Sequence, residues 1–139
     1  MKHGIGVIVV LTLALGGLGG LGCGSRARAN EVLGLPTPPA GYASTTVEEL
    51  VRDEGLGGQR VFFEGAIAKF GCLGCGGVIA ADKTWRISIE PEDPSQFRIP
   101  VRSGVRIRVW GVLQIGNRGF REVKARRVEF PASTEEEKS

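Results

Sequence analysis

Between Val105 and Phe130 apolar and polar residues alternate with a period of two, which a half-buried strand satisfies and a helix does not. Val105, Ile107 and Val109 share one parity, Arg106, Arg108 and Trp110 the other, and the run continues through Gly111 to Ile115. Gly116-Asn117-Arg118-Gly119 has the composition of a hairpin turn. The return strand carries Val123 and Ala125 on one parity and Val128 and Phe130 on the opposite one, so a bulge is expected near Arg126.

Upstream, Trp85, Ile87 and Ile89 alternate with Arg86, Ser88 and Glu90 after an Asp82-Lys83 turn, giving another strand. Arg60 to Phe70 reads as a strand with Val61, Phe63 and Ile67 on one parity, although Phe62 interrupts the pattern and Gly65 suits a bulge or sharp bend. Ahead of it, Thr45 with Glu48 and Thr46 with Glu49 are possible capping boxes for a short helix ending near Gly55, whose Val47, Leu50 and Val51 fall on one face. Short, evenly spaced strands with glycines in mid-strand argue for a small antiparallel barrel, an all-β fold, over a layered α/β fold.

The Val-Glu-Glu-Leu helix, then Gly-Gly-Gln-Arg-Val-Phe-Phe-Glu-Gly, a cysteine pair and Gly-Val-Arg-Ile-Arg-Val-Trp-Gly-Val resemble the small exported bacterial OB-fold domains. The resemblance covers about Thr46 to Phe130 and implies a five-stranded OB-like barrel preceded by a short helix. Members of that group often carry Cys followed by Gly-Cys-Trp at the second strand; Cys72-Leu73-Gly74-Cys75-Gly76 is shorter and has no Trp.

The N-terminal part is of another kind. Met1-Lys2-His3 is a positive n-region, and the 19 residues Gly4 to Gly22 carry no charge, as a secretory signal requires. Small residues then lead into Cys23. This resembles the lipobox of bacterial lipoproteins, in which the cysteine is acylated and becomes the new N-terminus; Gly22 fits the pattern, while Leu21 stands one place late and Gly20 occupies the usual Leu position. A retained membrane anchor or an ordinary cleaved signal are the alternatives. The expected organisation is a signal peptide at 1–22, a lipid-anchored Pro-rich tether at 23–44, the barrel at 45–130 and an acidic tail at 131–139. Gly24 after the cysteine, with no Asp, resembles lipoproteins passed to an outer membrane, so the expected location is the cell envelope, on the periplasmic side of that membrane.

Lipidation of Cys23 would leave two of the three cysteines, Cys72 and Cys75, in a compartment where thiols oxidise. They are candidates for a local disulfide, for Cu(I) or half a zinc site, or for redox exchange. The mature chain would have no histidine, since His3 stands alone, and a thioredoxin-like role would want a helix start where Gly76-Gly77 stands. The missing histidine also removes the Ser-His-Asp and Cys-His arrangements, so a non-enzymatic chain without cofactor is expected.

Arg98 to Arg127 holds nine Arg or Lys against the single acid Glu122, a density hidden in a net charge of only +3. Arg106 and Arg108 beside Trp110, with Lys124 and Arg126 on the last strand, form the candidate binding face. An acidic protein patch or anionic lipid is the expected partner, beside the membrane itself; in an envelope, nucleic acid is the unlikely one. The plain alternative is a solvated arginine face.

Overall fold

The computed structural model of the protein describes residues 30–72 and 75–132, without the side chain of Cys72. The expected signal peptide 1–22, the expected acylation site Cys23 and most of the expected acidic tail lie outside the described residues. Residues Asn30–Pro131 make one compact unit.

Alternation becomes strand where it was expected, and three further strands are described. Seven strands are described: β1 (Glu31–Gly34), β2 (Ala43–Ser44), β3 (Arg60–Cys72), β4 (Gly77–Asp82), β5 (Trp85–Pro91), β6 (Arg106–Ile115) and β7 (Arg121–Phe130), with one helix, α1 (Val47–Arg52). The alternation rules do not single out β4, because Val78-Ile79-Ala80-Ala81 is apolar on both faces. Pairings β3–β4, β4–β5, β5–β7, β7–β6 and β6–β3 close a five-stranded barrel. Four of these pairs are antiparallel and the closing β5–β7 pair is parallel, a refinement of the all-antiparallel expectation. The reason is directional: the β5–β6 connection crosses the barrel end and the β6–β7 hairpin reverses the chain again, so β5 and β7 run the same way. This is the strand order of an OB-fold.

Inward positions fill the barrel: Val61, Phe63 and Ile67 from β3, Val78 and Ala80 from β4, Ile87 and Ile89 from β5, Ile107, Val109 and Leu113 from β6, and Val123, Ala125, Val128 and Phe130 from β7. Val47 and Leu50 of α1 join this cluster, as does Ile99 from the β5–β6 connection. The expected β7 bulge is present. Trp110 pairs with Arg127 but Gly111 pairs with Ala125, which leaves Arg126 as the extra residue and flips the inward parity beyond it. Gly111 is what lets the strands meet there, since a Cβ on it would stand 2.4 Å from the Lys124 carbonyl oxygen and 2.8 Å from Val123 Cγ1. On β3 the irregularities fall between Ile67 and Lys69 and between Phe70 and Cys72, not at Gly65, which stays in register with Ile107. Phe62, which broke the alternation, points outward and packs on Trp110 with ring centroids 4.6 Å apart.

The stretch 30–44, expected as free tether, is docked. β1 pairs antiparallel with β7 from Glu31↔Phe130 to Gly34↔Arg127, and β2 pairs parallel with β3. The cause is an open edge: β7 pairs with β5 only as far as Ala125, and past the bulge its edge is taken by β1. Leu33 packs on the core, and the prolines 36, 38 and 39 fall in the connection between β1 and β2.

Of the two possible capping boxes, Thr46 and Glu49 form the one observed: the Thr46 hydroxyl accepts from the Glu49 N–H at 3.1 Å and the Glu49 carboxylate accepts from the Thr46 N–H at 3.0 Å. The Thr45 hydroxyl, which donates to Glu49 at 2.8 Å, is the largest of the causes that hold the Glu49 carboxyl below its ordinary range. A depressed carboxyl stabilises the fold above its unfolded pKa and stops doing so as pH falls through its folded one. Amide-exchange protection of α1 is therefore expected to fall on acidification below the usual glutamate range, and this loss should disappear in Thr45→Ala, Thr46→Ala. Gly111→Ala should cost about 3 kcal/mol in denaturant unfolding, as overpacking against backbone does; a loss under about 1 kcal/mol would contradict the close approach.

Candidate functional site

The β6 arginines rise from the outer face of the barrel because Ile107 and Val109 face inward. Pairing sets Glu64 of β3, Arg108 of β6 and Glu129 of β7 in one row across the sheet. Arg108 donates to Glu64 at 3.0 Å and to Glu129 at 3.0 Å. Those hydrogen bonds, Glu129 first, raise its pKa. Glu129 in turn accepts from Arg127 at 3.0 Å. Arg127, only 3 % exposed, also donates to the Leu35 carbonyl at 2.8 Å and stacks over Trp110 with its guanidinium carbon 5.0 Å from the ring centroid. Its Nε finds no acceptor, and the ring face is its substitute.

Trp110 is therefore not an exposed stacking platform; it is buried between Phe62 and Arg127. Lys124 lies opposite Val112, away from Arg106 and Arg108, and is bound by Glu90 and Glu122. Burial alone would lower its pKa, but the hydrogen bonds to those two carboxylates outweigh it and hold it raised. Arg126, the bulge residue, donates to the Tyr42 hydroxyl at 3.1 Å and to Glu92 at 3.1 Å, and both bonds raise its pKa, Tyr42 more. The five nominated residues thus do not form one open basic face. Arg106 alone keeps an outward charge, its nearest carboxylate being Glu64 at 3.9 Å.

A different surface does carry open charge. Arg106, Ala66, Ala81 and Arg86 are successive partners across β6, β3, β4 and β5. Beside that row run Lys69, Ile79 and Ser88. At about 4.8 Å per strand the two arginine Cα atoms stand roughly 14 Å apart, over a floor of small side chains. Lys69 and Arg86 are exposed and have no acidic partner among the described residues, and Lys83 follows at the β4–β5 turn in the left-handed region with φ 57°. Sequence reasoning missed this surface because its cations are single residues on three strands. The only signal was the set of small residues Ala66, Ala68, Ala80 and Ala81 beside them.

Cys72 ends β3, paired with Gly77, and Cys75 stands in the turn that follows. Among the described residues no group of three His, Cys, Asp or Glu is placed to hold a metal ion.

No protein-family model matches the chain, and no curated protein matches it. Among solved structures, it is similar to a protein assigned as an aspartyl-tRNA synthetase from Leishmania major Friedlin, with TM-score 0.52 and 14% identity over 73% of this chain. It spans only 23% of that protein, so the likeness is to one part of it and shows the fold alone. The hypothetical protein ygiW from E. coli aligns with TM-score 0.48 and 17% identity, covering 68% of this chain and 96% of the other. The S. pombe Stn1-Ten1 complex aligns with TM-score 0.45 and 11% identity, over 63% and 76%.

Removing one partner of a buried pair leaves an uncompensated charge. Glu129→Ala should therefore cost about 3 kcal/mol of unfolding free energy, whereas Arg86→Ala should stay within about 0.5 kcal/mol. Equal effects would show that Arg127 and Arg108 are not held by Glu129.

Proposed function

We propose that the chain is a non-enzymatic OB-fold binding module of the bacterial envelope, anchored through acylated Cys23 to the periplasmic side of the outer membrane. Its outer β3–β4–β5 surface takes an acidic partner. The observation that carries the reading is that Lys69 and Arg86, with Arg106 held only at 3.9 Å from Glu64, keep their charges outward beside Ala66, Ile79, Ala81 and Ser88, while most other barrel cations are neutralised within the fold. Exposed cations of this kind raise the encounter rate and the selectivity for an acidic patch more than they raise affinity. An acidic protein segment suits a platform this shallow.

For the cysteines, their closeness along the chain at the β3–β4 turn and the oxidising compartment of the proposed location support a structural bridge between Cys72 and Cys75 over direct copper or redox chemistry. Such a bridge closes a short loop and shapes the turn more than it stabilises the fold.

Binding of a poly-glutamate peptide, followed by fluorescence anisotropy, should weaken as salt rises. Lys69→Glu, Arg86→Glu should weaken it about tenfold, each exposed charge contributing up to ~1 kcal/mol, while thermal stability stays unchanged. Unaltered binding in this variant removes the surface from consideration, and tighter binding of a single-stranded oligonucleotide than of the peptide moves the partner class to nucleic acid. Thiol titration of the unreduced protein should find neither Cys72 nor Cys75 reactive; stoichiometric Cu(I) uptake by native protein, absent in Cys72→Ser, Cys75→Ser, would instead favour the metal-handling reading.

A further inference from the structure

One end of the barrel is closed by the connection 92–105, and its last part is pinned at three places. The Ile99 N–H donates to Gly76 O in the β3–β4 turn at 2.9 Å, and Ile99 itself is buried as the plug. Arg102 grips Glu31, the first residue of β1, through both carboxylate oxygens at 2.8 and 3.3 Å, and lies 4.7 Å from the centroid of Phe130, the last residue of β7. Gly104 N–H donates to Ile67 O at 2.7 Å, and Val105 O accepts from Ile67 N–H at 2.9 Å. Held this way, the segment leaves Val101 47 % and Val105 36 % exposed, and Phe70, three residues beyond Ile67 on β3, is 46 % exposed. Arg102, Arg106 and Lys69 are exposed beside them. Exposed valines beside long cations make a surface that enters the headgroup layer of a bilayer, with the Lys69 ammonium and the Arg106 guanidinium reaching back to phosphates.

We propose that this end of the barrel, with Val101 and Val105 foremost, rests on an anionic bilayer. The proposal relies on the reading that Cys23 is acylated, and chain length then supports the orientation. Asn30 enters the barrel beside Glu31 at this same end, seven residues after Cys23. At about 3.3–3.6 Å per residue, those seven residues span at most about 25 Å. The β6–β7 hairpin lies at the far end of β7, ten residues from Phe130, about 30 Å along a strand of this length. Turning that hairpin to the membrane would ask for more than the linking residues span when fully stretched; the 98–105 end needs no such extension. The surface shares Lys69 and Arg106 with the edge of the β3–β4–β5 platform, whose Arg86 and Lys83 this orientation leaves open to a partner.

The test uses the acylated full chain in phosphatidylglycerol–phosphatidylethanolamine vesicles whose acyl chains are brominated. After subtraction of the emission of Trp85 and Trp110 measured on the unsubstituted chain, the indole introduced by Val101→Trp should show about a twofold loss of emission and a blue shift, as an interfacial side chain does. Phe120→Trp, at the hairpin, should lose none. Val101→Glu, Val105→Glu should reduce protection of residues 98–105 from hydrogen exchange on the vesicles while leaving thermal unfolding in solution unchanged. Equal quenching in the two tryptophan variants, quenching in Phe120→Trp alone, or quenching in neither overturns the orientation. The mass of the N-terminal peptide reads the anchor separately: an unmodified Cys23 in protein taken from its own membrane overturns the anchor and the docking built on it, whereas acylation without quenching in the Val101→Trp variant overturns the docking alone.

Discussion

The barrel depends on one extra residue. β7 must pair with β5 near its start, with β1 near its end and with β6 throughout, and these demands conflict in a regular strand because side-chain parity cannot change. Arg126 resolves the conflict by standing unpaired in the β6–β7 ladder, opposite a glycine that allows the backbones to close on each other. Before it, Val123 and Ala125 face inward; after it, Val128 and Phe130 do. The change of parity also swings the Arg126 carbonyl to the Leu35 N–H, at 3.0 Å, while the Ala125 carbonyl takes the Glu92 N–H at 2.8 Å. Two flanking chains thus separate at adjacent carbonyls, and the cleft of about 280 Å3 between them is lined by Leu35, Pro36, Phe97 and Arg126. Gly34 belongs to the same junction: with φ at +87°, its missing Cβ would fall 2.1 Å from the Arg126 oxygen.

Charge on this molecule is arranged by strand pairing. Arg108 finds Glu64 and Glu129, Lys124 finds Glu90 and Glu122, and Arg126 finds Glu92. Only Glu122 lies inside the basic run; the other acids arrive from β3, from β5 and the connection after it, and from the end of β7. Such exposed pairs contribute little stability singly. Arg127 and Glu129 differ because they are buried, where an unpaired member is costly. Their placement under β1 makes the N-terminal segment part of the fold's electrostatics.

This explains which expectations were legible in the chain. The β6–β7 hairpin, the bulge at Arg126 and the Thr46–Glu49 cap are written in local residue order, so periodicity and turn chemistry disclose them. Docking of β1 was not legible: Glu31-Val32-Leu33-Gly34 is too short to announce a strand, and it forms one only because β7 offers an open edge. The candidate binding face failed to appear as one surface for the related reason that a count of charges along the chain ignores acids two strands away. Arg106 was recognisable from alternation, whereas Lys69 and Arg86 join it only through registers set by a bulge between Ile67 and Lys69.

The clasp between Arg102 and Glu31 has a mechanical side. A pull on the chain ahead of Asn30 loads β1 from its first residue, and β1 lies antiparallel on β7 with that residue beside the strand's last, so traction unzips the ladder bond by bond instead of shearing all of it at once. Unzipping yields at low force. The bidentate grip of Arg102 sits at the first tooth of the zip, and because Arg102 also rests on Phe130, it passes the load to the connection that Ile99 plugs into the core, past the four residues that would otherwise peel.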